Sequence, residues 1–165
     1  GLSVFVVSEK ALERAETTND RGYYFDFLEF EKNHQKNNTP STPSISLLYA
    51  LDSMVSSIME EGLENRFRRH SETNAQVHKW VEESGFELFA PDGFRSKTLT
   101  AVENNRGIDV PAFIKAVRER HNLLINGGYG KIKGKTFRIS NMGNETLSTM
   151  DELLRALSEV LPEFT

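Results

Sequence analysis

The sequence predicts an α/β chain: its second half is a compact α+β unit, preceded by a long connecting helix and the remnant of a larger domain. Three observations predict it. From Gly85 onward, short strand-like and amphipathic helical stretches follow one another as β-β-α-β-β-α, the order of a small sheet carrying helices on one face. Upstream, two helical periods run through Thr42 to Glu83 with only Gly62 between them. At the start, Leu2-Ser3-Val4-Phe5-Val6-Val7 is an apolar run between Gly1 and the charged Ser8-Glu9-Lys10, and reads as a strand buried on both faces. No comparable strand follows for about ninety residues. An orphaned strand in a chain without an initiator Met is expected of a piece of something larger, cut upstream of Gly1. The expected divisions are 1–41, the remnant and a loop; 42–62, the connecting helix; and 63–165, the small α+β domain.

Each element has its own warrant. Glu9 to Glu16 reads as a short helix, Thr17 to Gly22 as a polar turn, and Tyr23 to Lys32 as a helix burying Tyr24, Phe27, Leu28 and Phe30. Asn33 to Ser44 is a loop whose two prolines keep the backbone extended. Thr42 makes an N-cap with Pro43 at the first helical position. The stripe Leu47, Leu51, Met54 and Ile58, flanked by Leu48, Val55 and Met59, reads as core. Past Gly62 a second helix runs from about Leu63 to Glu83, where Glu64 and Arg68 have pairing spacing on a solvated face with Arg66, Arg69 and His70. Phe86 to Phe89 and Lys97 to Glu103 are strands; Asp109-Val110-Pro111 opens a helix through Arg120 that buries Phe113, Ile114 and Val117. Asn122 to Asn126 and Lys135 to Asn141 are strands either side of a glycine turn. The last helix starts near Ser148 or Thr149, with Thr149 to Glu152 spaced as a capping box and Met150, Leu153, Leu154, Leu157, Val160 and Leu161 as its stripe.

Composition narrows the functional classes. With 38% apolar residues, 27% charged and a net charge of −4 over 165 residues, this is one ordinary globular domain, or a small one plus a remnant. Basic residues are interspersed with acids, so nothing points to nucleic acid. No stretch is long enough for a membrane helix and no secretory signal is visible. Zero cysteines excludes a disulfide framework, a thiolate metal site and a cysteine nucleophile within these residues, and a reducing cytoplasm is the default location. The histidines at 34, 70, 78 and 121 show no metal-ligand spacing and read as surface or helix-face residues.

The most informative stretch is Gly127 to Ile139, Gly-Gly-Tyr-Gly-Lys-Ile-Lys-Gly-Lys-Thr-Phe-Arg-Ile. Alternation in the strand puts Phe137 and Ile139 on one face and Arg138 on the other. A guanidinium is a rigid fork of donors that fits a carboxylate in two parallel hydrogen bonds, and a strand fixes where it points. An ordinary surface arginine satisfies the same pattern.

Several motifs in order carry a resemblance. Gly1-Leu2-Ser3-Val4-Phe5-Val6-Val7-Ser8-Glu9-Lys10-Ala11, Tyr23-Tyr24-Phe25-Asp26, Thr42 to Leu51, Glu61-Gly62-Leu63-Glu64-Asn65-Arg66 and Phe137-Arg138-Ile139-Ser140-Asn141-Met142-Gly143 together resemble the C-terminal part of class V aminotransferases, pyridoxal-phosphate enzymes of fold type I. The likeness is greatest to the alanine–glyoxylate and serine–pyruvate branch and covers nearly the whole chain. It implies a homodimeric transaminase that moves an amino group from a small amino acid such as alanine, serine or aspartate to a 2-oxo acid such as glyoxylate or pyruvate. By the same resemblance Arg138 binds the substrate α-carboxylate, and Gly127 and Gly128 lie on the substrate side, where they let backbone approach closely. Thr42 corresponds to a residue that reaches the cofactor phosphate of the neighbouring subunit. Where some relatives carry a tyrosine on that phosphate, Thr39 stands here.

The family's Schiff-base lysine has no counterpart in these residues, because Lys10, Lys32 and Lys36 sit in no matching context. The chain by itself is therefore expected to be inactive. Cysteine desulfurases of the same fold need a cysteine in this region, and phosphoserine aminotransferases carry a different glycine turn; both fit less well. A free-standing ligand-binding or dimerisation module is the alternative, against which the orphan strand argues.

Overall fold

The computed structural model describes residues 2–164. It forms two compact units divided between Glu60 and Glu61.

The first unit is helical and thinly packed. The strand expected at Leu2 to Val7 is absent: these residues pair with no strand, and Val6 is 97% exposed. A lone extended segment has its backbone groups satisfied by water and gains no ladder bonds, so no strand forms without a neighbour. Phe5 makes ring contacts, 5.9 Å from Phe27 and 5.3 Å from Phe30, and Val7 is half-buried. Helix α1 (Glu9–Glu16) has the expected bounds, with the Ser8 hydroxyl accepting from the Ala11 N–H at 3.3 Å. Helix α2 (Phe27–His34) starts later than expected. Asp26 sets that start: its carboxylate accepts from the Leu28 N–H at 3.0 Å and from Arg21 Nε at 2.9 Å. Tyr24 is therefore outside the helix and exposed rather than buried.

Helix α3 (Ile45–Glu61) also departs from expectation. Thr42 is not its cap. The Leu47 and Leu48 N–H groups both donate to the Ser44 carbonyl, at 3.1 and 3.0 Å, which makes Ser44 the first half-helical residue. Nor is the stripe core: Leu47, Leu48, Met54, Val55 and Met59 are all exposed, and α3 buries no residue. Among the described residues of this unit Ala15 alone is buried.

The second unit has a full core. Helix α4 (Leu63–Glu83) begins after Gly62, whose φ of +78° is the left-handed backbone that glycine tolerates. Strands β1 (Glu87–Leu88) and β2 (Leu99–Glu103), helix α5 (Val110–His121), strands β3 (Asn126–Gly127) and β4 (Thr136–Ser140), and helix α6 (Leu147–Val160) follow. The β-β-α-β-β-α order is as expected, and the sheet is antiparallel throughout in the order β1-β2-β4-β3. Asp109 caps α5, accepting from the Ala112 N–H at 3.1 Å. Of the strand expected over Asn122 to Asn126 only Asn126 is in β3, with Gly127, and Asn122 is instead the left-handed C-cap of α5. The capping box of α6 is one turn earlier than expected: Thr146 is the cap and Thr149 its third helical residue, each side chain bonding the other's backbone N–H.

One face of the sheet is covered. Register pairs Thr100 with Ile139 and Val102 with Phe137, and all four are buried. Phe137 meets Phe86 at 5.2 Å and Phe113 at 6.0 Å, both edge-on, which locks β4 against the helices. Polar ties complete the packing. Asn74 Nδ2 donates to Thr100 Oγ1 at 3.1 Å, and Asn141 Nδ2 donates to Thr73 Oγ1 and to the carbonyls of His70 and Lys97 at 2.9, 3.1 and 3.0 Å. His70, expected on a solvated face, is thus buried.

Candidate carboxylate site

Arg138 sits on the face of the sheet away from that core. In register it lies between Ala101 on β2 and Asn126 on β3. Directly paired residues share a face, so the guanidinium rises between a methyl group and an exposed amide. Ala101 is small enough to leave room beside it.

The guanidinium is fixed at two places. Its Nε donates to the Gly127 carbonyl at 3.1 Å, and its central carbon lies 5.3 Å from the Tyr129 ring centroid. Among the described residues no carboxylate pairs with it, and Nη1 and Nη2 make no hydrogen bond. The outer edge of the fork, two parallel N–H vectors, is therefore available to an external planar anion.

The glycines serve this arrangement from behind. Gly127 belongs to β3, opposite Phe137, and contributes its carbonyl to Arg138. Gly128 donates its N–H to the Thr136 carbonyl at 2.8 Å, and a Cβ there would overlap Thr136 Oγ1 and the Ile132 carbonyl oxygen. Its missing side chain is needed by the hairpin itself. Tyr129, which sequence reading passed over, is the residue that completes the arginine's setting. It stood inside the singled-out glycine stretch, but the pairing that brings it to Arg138 depends on how the turn closes.

Thr39 and Thr42 belong to the first unit. The Thr39 hydroxyl donates to the Ser41 carbonyl at 2.8 Å, and Thr39 helps line an apolar cleft of about 450 Å³ with Phe5, Phe27, Phe30 and His34. Thr42 is exposed, and its hydroxyl makes no hydrogen bond among the described residues.

The basic cluster on α4 is not the solvated surface expected. Arg69 grips the Glu61 carboxylate through Nε at 2.6 Å and Nη2 at 2.9 Å, and Arg66 adds Nη1 at 3.0 Å. Arg69 Nη1 also donates to the carbonyls of Gly143 and Glu145, at 3.1 and 2.7 Å. The Arg69 bonds, more than those from Arg66, hold the Glu61 carboxyl down from 4.5 to about 2. The expected Glu64–Arg68 pair gives way to a bond from Arg68 Nη2 to Asn65 Oδ1 at 2.6 Å.

No helix among the described residues is long and apolar enough to cross a membrane, and none of their His, Asp or Glu clusters could hold a metal ion. No family model matches the chain. It is similar to an uncharacterised aminotransferase of Methanocaldococcus jannaschii, 37% identical over 97% of this chain and 43% of the relative. It is similar to the serine–glyoxylate aminotransferase of Methylorubrum extorquens, 34% identical over 87% of this chain and 37% of the relative. Among solved structures it superimposes on the alanine–glyoxylate aminotransferase of Nostoc sp. with a TM-score of 0.84 and 30% identity, over 93% of this chain and 42% of that one. These relatives are named as aminotransferases, and the chain spans about two-fifths of their length.

Proposed function

We propose that the protein carrying this chain is a pyridoxal-phosphate-dependent aminotransferase of class V, passing an amino group from a small amino acid to a 2-oxo acid such as glyoxylate. The chain is the C-terminal share of that enzyme: residues 42–62 make the connector, which contains α3, and residues 63–165 the small domain. The observation that carries the reading is the Arg138 fork, held at Nε and open at Nη1 and Nη2 on the strand face away from the core. Donor and acceptor of a transamination share one feature, a carboxylate beside the reacting carbon. A single fixed guanidinium can therefore hold either in turn and orient that carbon the same way both times.

The cofactor, when bound, supplies the electron sink for transamination. The residues present fit only its periphery. Thr42 has an exposed hydroxyl free to donate to a phosphate oxygen, while the Thr39 hydroxyl is already committed to Ser41 and fits poorly. The same reading makes the enzyme a cytoplasmic homodimer. It is supported by the absence of cysteine, by the family pattern in which Thr42 serves the neighbouring subunit, and by the uncovered apolar face of α3. A stand-alone binding module is not favoured, because the homology to aminotransferases runs through 97% of the chain.

The test is transamination by the complete protein. Alanine, serine and aspartate are offered with glyoxylate, and glycine formation is followed. Turnover of at least one pair is expected; failure of all three, with cofactor bound, would overturn the reading.

A further inference from the structure

Tyr129 is an odd residue to find where it is. It is 75% exposed, so its ring contributes little to packing, yet it lies against one cation. The hairpin delivers it there by construction. Gly128, immediately before it, is pinned to Thr136 and tolerates no side chain. Tyr129 itself is extended, with φ of −135° and ψ of 170°, and leads into the 3-10 turn Gly130–Ile132, where Gly130 takes a φ of +61°. Backbone on both sides of the ring is thus specified, and the ring's place follows from the turn.

A guanidinium presents an inner edge, two flat faces and an outer edge. Here the Gly127 carbonyl takes Nε and the Tyr129 ring lies 5.3 Å from the central carbon, leaving Nη1 and Nη2 for ligand. Resting on the reading of Arg138 as the carboxylate anchor, we infer that Tyr129 is a positioning residue for that anchor. Its ring holds the guanidinium plane so that Nη1 and Nη2 meet a carboxylate end-on, and it keeps water from one face of the resulting ion pair. An aromatic face attracts a guanidinium, and a drier ion pair is a stronger one. The ligand so selected is a planar carboxylate approached along its two oxygens, common to amino donor and 2-oxo acceptor; an amide or ester offers only one such oxygen to the fork.

The experiment uses the complete, cofactor-loaded protein with Tyr129→Leu, Tyr129→Phe and Arg138→Lys, reading KM, kcat, thermal midpoint and the Nε–H NMR signal of Arg138. Tyr129→Leu is expected to raise KM for donor and acceptor alike by about three- to tenfold, with kcat within about twofold, an unchanged midpoint and a broadened Nε–H signal. Tyr129→Phe restores the parent values, since the ring and not the hydroxyl acts. If Tyr129→Leu leaves KM alone while Arg138→Lys raises it, Tyr129 is an ordinary surface residue and the anchor reading stands. A lowered midpoint with KM unchanged would make Tyr129 a packing residue and overturn the inference equally. If Arg138→Lys itself leaves KM unchanged, the anchor reading falls and takes this one with it.

Discussion

Arg138 reaches across to the neighbouring strand and donates from Nε to the Gly127 carbonyl at 3.1 Å, so the side chain is anchored by backbone before any ligand arrives. Ordering a free arginine on binding would oppose affinity; an arginine already held leaves less to lose.

Arg138→Ala in the complete enzyme is expected to raise KM for both substrates by roughly tenfold or more, about 1.5–3 kcal/mol for a charged hydrogen-bonded contact. Steady-state kinetics on each substrate checks it. A change confined to one substrate would contradict a shared carboxylate site.

Gly128→Ala is expected to destabilise the protein by about 1–3 kcal/mol, the usual range for overpacking. The added methyl would collide with Thr136 Oγ1 and with the Ile132 carbonyl, and backbone cannot swing aside as a side chain can. Urea unfolding gives the number, and an unshifted midpoint would show the hairpin to be soft.

Phe137→Ala is expected to cost about 3–5 kcal/mol, because the ring is fully buried between Phe86 and Phe113. A loss below about 1 kcal/mol in chemical denaturation would mean that the core collapses around the gap.

Glu61 provides a pH signature. Its folded value of about 2 lies below the ordinary 4.5, so its contribution is fully present above 4.5 and is lost as pH falls through 2. Glu163 beside Arg120 and Asp26 beside Arg21 are lowered in the same sense. Glu61→Gln is expected to lower the urea midpoint at neutral pH and to flatten its decline between about pH 5 and pH 2. Parallel curves for variant and parent would remove Glu61 from the acid response.

Much of the second unit was legible in the sequence. The bounds of α4, the buried faces of α5 and α6 and the alternation that isolates Arg138 all come from periodicity, which local residues carry. Boundaries slipped where two caps competed. Thr149 reads as a cap until Thr146 is seen to hold its N–H, and Pro43 reads as a first helical residue until Ser44 is seen to begin the helix. The site was half legible: Arg138 and the glycines stood out, while Tyr129, Ala101 and Asn126 joined them only through strand register and turn closure. The α3 stripe is the instructive miss. Its spacing correctly marks a face that wants covering, but spacing says nothing about whether the cover comes from nearby in the chain.

That uncovered face has a consequence for how the molecule fares in a cell. Fixing backbone costs about 1–2 kcal/mol per residue, and among the described residues of the first unit only Ala15 is buried to set against it. Order there is conditional on company. While α3 is bare, Leu47, Met54 and Met59 present an exposed apolar face, the kind of surface that chaperones and proteases engage.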